Sequence, residues 1–119
     1  EIEAINKACK KLGGWRLHRC DLYVTLEPCP MCAGAIINAR IQTVYFGAAD
    51  PKAGSCGSLV NLFDLPYNHQ PAIVSGVLGE QCADVLKSFF RALREKRKML
   101  RLQQKSDAMM AFDHRIQEK

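Results

Sequence analysis

Two cysteines three positions apart, Cys29 and Cys32, lie within the hexapeptide Glu27-Pro28-Cys29-Pro30-Met31-Cys32. An apolar, sheet-favouring run precedes it at residues 22–26 (Leu-Tyr-Val-Thr-Leu). A small, apolar, helix-like run follows at residues 33–40. At a strand-to-helix junction this spacing lets both sulfurs face one cation. The helix N-terminus leaves backbone N–H groups unpaired and carries partial positive charge, which favours thiolate, the metal-binding form. Pro30 suits a first helical turn, where its missing N–H is not needed. Cys29 and Cys32 therefore read as half of a zinc site. Taken alone, the pair also reads as buried thiols without metal or as a redox couple.

Zinc usually takes four ligands, and a catalytic site uses three from protein plus a water. Within the chain the remaining candidates are His18, His69, His114, Cys9, Cys20, Cys56 and Cys82, and no spacing singles one out.

The elements that must position the pair follow from periodicity. Ile2, Ile5, Cys9 and Leu12 recur at helical spacing, and Gly13-Gly14 ends that helix. Residues 22–26 form the first strand. The helix after Cys32 is apolar on most sides and so belongs against a sheet. Residues 43–47 (Thr-Val-Tyr-Phe-Gly) form a second strand, parallel to the first in a βαβ unit. A Gly- and Pro-punctuated loop at 48–58 carries Asp50, which suits either a functional loop or a turn cap. Ser58 suits the cap of a short helix through Phe63. A loop with His69 leads to a short strand at 72–75. Gly79 opens the longest helical pattern, with Cys82, Val85, Leu86, Phe89, Phe90 and Leu93 as its apolar stripe.

The far end of that helix is basic. Lys87, Arg91, Arg94, Lys96, Arg97, Lys98, Arg101 and Lys105 are opposed only by Glu95 before Ser106. This is either a solvated face or a face for phosphates. Residues 1–105 read as one domain and 106–119 as a polar C-terminal extension with little to order it.

With 119 residues, 48% hydrophobic and 24% charged, the composition is that of an ordinary globular chain with a modest core. No run is long and apolar enough to cross a bilayer, and no secretory signal is visible. Six cysteines in a chain with sizeable helices and strands fit a reduced, cytoplasmic setting better than a disulfide scaffold. The net charge of +5 is concentrated in the last helix.

The zinc nucleobase deaminases carry the signature His-x-Glu followed by Pro-Cys-x-x-Cys. Here Pro28-Cys29-Pro30-Met31-Cys32 is intact, and Glu1 opens a helix as the catalytic glutamate of that family does. Residues 22–29 and 31–35, with 44–48 (Val-Tyr-Phe-Gly-Ala), Gly57-Ser58-Leu59, Asn68-His69 and Phe89-Phe90-Arg91, resemble the bacterial tRNA-specific adenosine deaminases. These belong to the cytidine/deoxycytidylate deaminase superfamily, and the resemblance runs to about Lys98.

It implies an α/β fold, a three-layer α/β/α sandwich of cytidine-deaminase type with a central mixed sheet. It implies Zn2+ on Cys29, Cys32 and a histidine two residues before Glu1, with Glu1 as proton shuttle. That histidine lies upstream of the first residue. The chain is then a fragment lacking N-terminal elements, and inactive by itself. The substrate implied is the wobble adenosine of a tRNA anticodon loop, converted to inosine by a cytoplasmic homodimer. Asp50, His69, Phe90, Arg91 and Arg94 are the substrate-binding candidates. Guanine deaminases also carry Glu-Pro-Cys-Pro-Met-Cys. Deamination of a free base or nucleoside therefore remains an alternative, as does a noncatalytic RNA-binding subunit with structural zinc.

Overall fold

The computed structural model describes the backbone of residues 1–117 and the side chains of residues 1–112. His114 and most of the expected extension's end lie outside the described side chains. The chain divides into two units, Glu1–Asp84 and Val85–Lys119.

The first unit holds the sheet. Strand β1 (Asp21–Leu26), helix α2 (Pro30–Asn38) and strand β2 (Thr43–Ala48) form the expected βαβ unit. The strands are parallel, with Leu22 opposite Val44 and Val24 opposite Phe46. Strand β3 (Ala72–Val74) adds to β2, again parallel, giving the order β1-β2-β3. Both strand ladders among the described residues are thus parallel, and the antiparallel ladder that a mixed sheet needs is not among them. The single antiparallel feature described is an isolated bridge between Cys56 and Asn61.

Alternation along the strands sends Leu22, Val24, Val44 and Phe46 to one face. Helix α1 (Ile2–Leu12) and α2 close that face, so Ile5, Ile36, Ile37, Val44 and Phe46 share one core with Leu17 and Phe63. α2 is apolar nearly all round because it packs within this core: Cys32, Ala33, Ile36 and Ile37 are all buried.

On the opposite face Tyr23 and Tyr45 stack with ring centroids 4.5 Å apart. The first turn of helix α3 (Gly79–Gln117) reaches this face at Gly47, where any Cβ would strike the Cys82 side chain and the Val77 carbonyl. Helices on one face and the start of α3 on the other give the layered α/β/α arrangement.

Helix ends follow local chemistry. Gly13, at φ 75°, terminates α1, and its N–H and that of Gly14 both reach the Cys9 carbonyl. α2 ends at a non-glycine residue in the left-handed region, Arg40 at φ 62°. The Ile41 N–H bonds the Ile36 carbonyl and the Arg40 N–H bonds the Ile37 carbonyl, which is a Schellman closure. The Arg40 guanidinium donates to the same Ile37 carbonyl at 2.9 Å.

Two expectations change. Ser58 caps nothing. The short helix is a single 3-10 turn, Leu62–Asp64, capped by Asn61, whose Oδ1 accepts from the Phe63 N–H at 3.1 Å. The break expected at 105/106 is not an element boundary. α3 continues to Gln117, because residues 80–117 contain neither Gly nor Pro. In the second unit Phe89 and Phe90 pack edge to face, with centroids 5.3 Å apart. Among the described residues no helix is long and apolar enough to cross a membrane.

Candidate metal and catalytic centre

Cys29 is the N-cap residue of α2 and Pro30 begins its first turn. The chain arrives from β1 in extended geometry, with Cys29 at φ −76° and ψ 173°, and turns directly into the helix. Cys32 therefore lies one turn along, on the side facing Cys29. Glu1 is the N-cap of α1, and its carbonyl accepts the Ile5 N–H at 2.9 Å. The packing of α1 beside α2 brings these residues near one another: Glu1 and Cys29 both act on the Cys32 thiol.

The electrostatics of this meeting point are one-sided. Burial, then the hydrogen bond and charge of Glu1, then those of Cys29, push the Cys32 thiol up to about 12. Two thiols and a carboxylate thus converge where no basic side chain offsets them among the causes acting on Cys32. Divalent zinc supplies the charge such a donor set lacks, and the N–H groups of the first turn of α2 favour thiolate further. The residues present fit zinc as a partial site. Among the described residues no group of three or more His, Cys, Asp or Glu is arranged to hold a metal, so this stretch offers two sulfur ligands with Glu1 beside them.

Beside the pair opens a cavity of about 500 Å³, lined by Glu1, Val24, Leu26, Glu27, Cys29 and Asp50 among others. A volume of this order accommodates a purine nucleoside. The structure therefore brings Glu1, Cys29 and Asp50 of the expected site residues to one cavity, and Cys32 is not in its lining.

Asp50 plays both parts foreseen for it. Its Oδ1 accepts the N–H groups of Lys52 and Ala53, at 3.0 and 3.2 Å, closing the turn that follows, while the residue itself lines the cavity. His69 does not join the lining. Its Nε2 meets the Ile41 carbonyl at 2.6 Å and ties the loop before β3 to the end of α2. Phe90, Arg91 and Arg94 lie on α3 in the second unit. All six cysteines are free. Cys56 is buried in the core, where burial and then the charges of Glu27 and Glu1 push its thiol up to about 12.

In sequence Glu27 stands out only as the first residue of the hexapeptide. It is 2% exposed, yet every acceptor position of its carboxylate is filled. Oε1 accepts the Asp50 N–H at 3.2 Å and the Ser58 hydroxyl. Oε2 accepts the N–H groups of Cys56 and Ser58, each at 3.1 Å. Burial alone would raise the pKa of this carboxyl, but the bonds from Ser58, Cys56 and Asp50 outweigh it and hold it below the ordinary value. The Ser55 N–H adds a bond to the Pro28 carbonyl at 2.9 Å. The signal available in the sequence was an acidic residue between an apolar strand and Pro28-Cys29; its partners, 23 to 31 residues away, were not legible.

Residues 1–94 match the family model described as MafB19-like deaminase. The tRNA-specific adenosine deaminase of Bacillus subtilis is 55% identical over 102 residues, covering 85% of this chain and 63% of that protein. Its counterpart from Haemophilus influenzae is 46% identical over 100 residues, covering 83% of this chain and 58% of its own length. A solved structure from a study of A-to-I editing by tRNA:A34 deaminases at the wobble position is 48% identical. It superposes with a TM-score of 0.68 over 71% of this chain and 62% of that one. The chain thus spans about three-fifths of the length of these relatives. With its Pro-Cys-x-x-Cys turn, its adjacent glutamate and a family match over four-fifths of its length, the chain belongs to the MafB19-like deaminases.

Proposed function

We propose that the whole protein converts adenosine to inosine at the wobble position of tRNA by zinc-dependent hydrolytic deamination. The observation that carries this reading is the convergence of the Glu1 carboxylate with Cys29 and Cys32 beside a cavity of nucleoside size. The names of the relatives supply the substrate class.

Cys29 and Cys32 would hold zinc as thiolates, with a histidine upstream of Glu1 as the third protein ligand. Zinc, when bound, lowers the pKa of a water from ~16 toward ~7, so that a nucleophile is available near neutral pH. Glu1 would take one proton from the attacking water and pass it to the purine ring nitrogen, then take the second proton from the hydroxyl now on C6 and pass it to the departing amine. The oxygen bonds to C6, the C6–N bond breaks and ammonia leaves, so adenosine plus water gives inosine plus ammonia. Asp50 lines the wall against which the base or its sugar would lie.

An anticodon loop suits this site because its bases are already unstacked and can enter a pocket without opening a duplex. The second unit offers phosphate-binding chemistry. Lys87, Arg91, Arg94, Lys98, Arg101 and Lys105 follow one another at alternating spacings of four and three. At 100° per residue they fall within roughly 80° of arc on α3. With Phe90 for stacking, Arg91 and Arg94 would hold flanking nucleotides and phosphates. His69, whose Nε2 meets the Ile41 carbonyl, would steady its own loop. A homodimer and a cytoplasmic location complete the proposal, on the family resemblance.

The test is inosine formation by the full-length protein on an anticodon stem-loop containing adenosine at the wobble position, with zinc measured in the same sample. About one zinc per chain with inosine supports the reading. Zinc with no inosine, and ammonia released from guanine or cytidine instead, would replace it with a small-base deaminase. Tight RNA binding without either product would replace it with a structural-zinc RNA binder.

A further inference from the structure

We infer that Glu27 is a positioning residue for substrate: its carboxylate fixes where Asp50 stands on the cavity wall. This rests on the reading of that cavity as the adenosine site.

The loop containing residues 50–58 belongs to no helix or strand, and its first residue, Asp50, lines the cavity. Glu27 is two residues before Cys29, on the rigid junction between β1 and α2. Its own N–H bonds the Ala48 carbonyl at 2.9 Å, so the residue is fixed by the sheet before its side chain acts. The carboxylate then gathers donors from both ends of the loop, Asp50 at one end and Cys56 and Ser58 at the other. Gly54 sits between them and has no room for a Cβ against Glu27 and the Asp50 carbonyl. The loop is wrapped around this one side chain. Through it, the cavity residue Asp50 is held to the same junction that carries Cys29.

The two carboxylate oxygens are not equivalent. Oε2 faces two main-chain N–H groups, which cannot turn away. Oε1 faces one main-chain N–H and one hydroxyl, and a hydroxyl can rotate to accept instead. An amide in this place keeps its oxygen toward Cys56 and Ser58 and turns its NH2 toward the Ser58 hydroxyl and Asp50. Glu27→Gln therefore releases one group, the Asp50 N–H, and leaves the rest of the loop attached. Glu27 itself borders the cavity, but glutamine keeps its shape there and Glu1, Cys29 and Cys32 are untouched, so a loss of substrate fit follows rather than a loss of chemistry.

The experiment uses the full-length, zinc-loaded protein and reads amide hydrogen exchange alongside kinetics. In Glu27→Gln, exchange at Asp50 is expected to rise by roughly tenfold, with Cys56 and Ser58 changed by less than about twofold. KM for the anticodon stem-loop rises by roughly tenfold, while kcat and zinc content stay within about twofold. Equal exchange at all three amides, or no change at Asp50, overturns the inference. So does a fall in kcat and zinc with KM unchanged, which would make Glu27 a residue of the fold alone. If Glu27→Gln does not fold, Ser58→Ala decides: without the hydroxyl that anchors Oε1 the carboxylate end is free to swing, so Asp50 exchange rises about threefold and Cys56 is unchanged, whereas no rise overturns the inference. If the wild-type protein makes no inosine, the functional reading fails, and the exchange data still judge the Glu27–Asp50 link.

Discussion

Gly54→Ala tests the packing of the loop directly. The new Cβ would lie against the Glu27 carboxylate and the Asp50 carbonyl, well inside van der Waals contact with both. Neither neighbour is a free side-chain end. The Asp50 carbonyl already accepts the Gly54 N–H at 2.9 Å, and Glu27 is buried with four donors on it. Two responses are open. Withdrawing the carboxylate would sacrifice four bonds to a charged group, each worth about 1.5–3 kcal/mol, and is too costly. Shifting the loop keeps most of those bonds and carries an overpacking penalty of about 1–3 kcal/mol. The second response wins, so the expected loss is about 2–3 kcal/mol. Gly34→Ala is the matched control: its Cβ meets nothing within 4 Å, it lies inside α2, and alanine should stabilise the helix by about 0.5–1 kcal/mol. Urea unfolding followed by near-UV circular dichroism of the stacked Tyr23–Tyr45 pair reports on this unit. A Gly54→Ala loss below about 0.5 kcal/mol, equal to the scatter of ordinary surface changes, would refute the reasoning.

Other consequences are open to measurement. Cys29→Ser and Cys32→Ser in the full-length protein should each lower zinc to well below one per chain by metal analysis; stoichiometric zinc in both would remove the ligand assignment. Arg40→Gly should change stability by less than about 0.5 kcal/mol in thermal unfolding. Relief of the left-handed backbone, about 1 kcal/mol, offsets the lost guanidinium bond to Ile37 of similar size. A loss near 2 kcal/mol would show that the side-chain bond dominates. Cys56 keeps its proton to about 12 when folded, against an ordinary value of 9.0. Because the unfolded chain then binds fewer protons, the contribution of Cys56 is fully present below about pH 9 and declines at about 1.4 kcal/mol per pH unit above it. Cys56→Ala should shallow the alkaline decline in stability, and an unaltered slope would contradict its assigned burial.

The parts of the fold read correctly from sequence are those governed by short-range pattern. The helical spacing of Ile2, Ile5 and Cys9 with Gly13 after it, and the strand-helix-strand order around Cys29, became α1 and the β1–α2–β2 unit. Glu1 and the two cysteines, separated by 28 or more positions, were linked by resemblance to the deaminase signature, not by pattern. The misreadings have long-range causes. Ser58 had the residue type of a helix cap, but Glu27, 31 positions away, claims both its N–H and its hydroxyl. The bond of the His69 ring to a carbonyl 28 positions earlier is likewise a long-range feature that no local pattern shows. Composition after Ser106 suggested a change of structure. Helix continuation depends instead on breakers, and none occurs before Gln117.

The central claim is that Glu1 shares one site with Cys29 and Cys32 and moves protons there without holding the metal. Glu1→Gln in the full-length protein tests it most directly, with zinc content and inosine formation read on the same preparation. The account predicts about one zinc per chain, retained binding of the stem-loop, and turnover lower by roughly 10²–10⁴. Undiminished inosine formation, or loss of zinc along with activity, would contradict it.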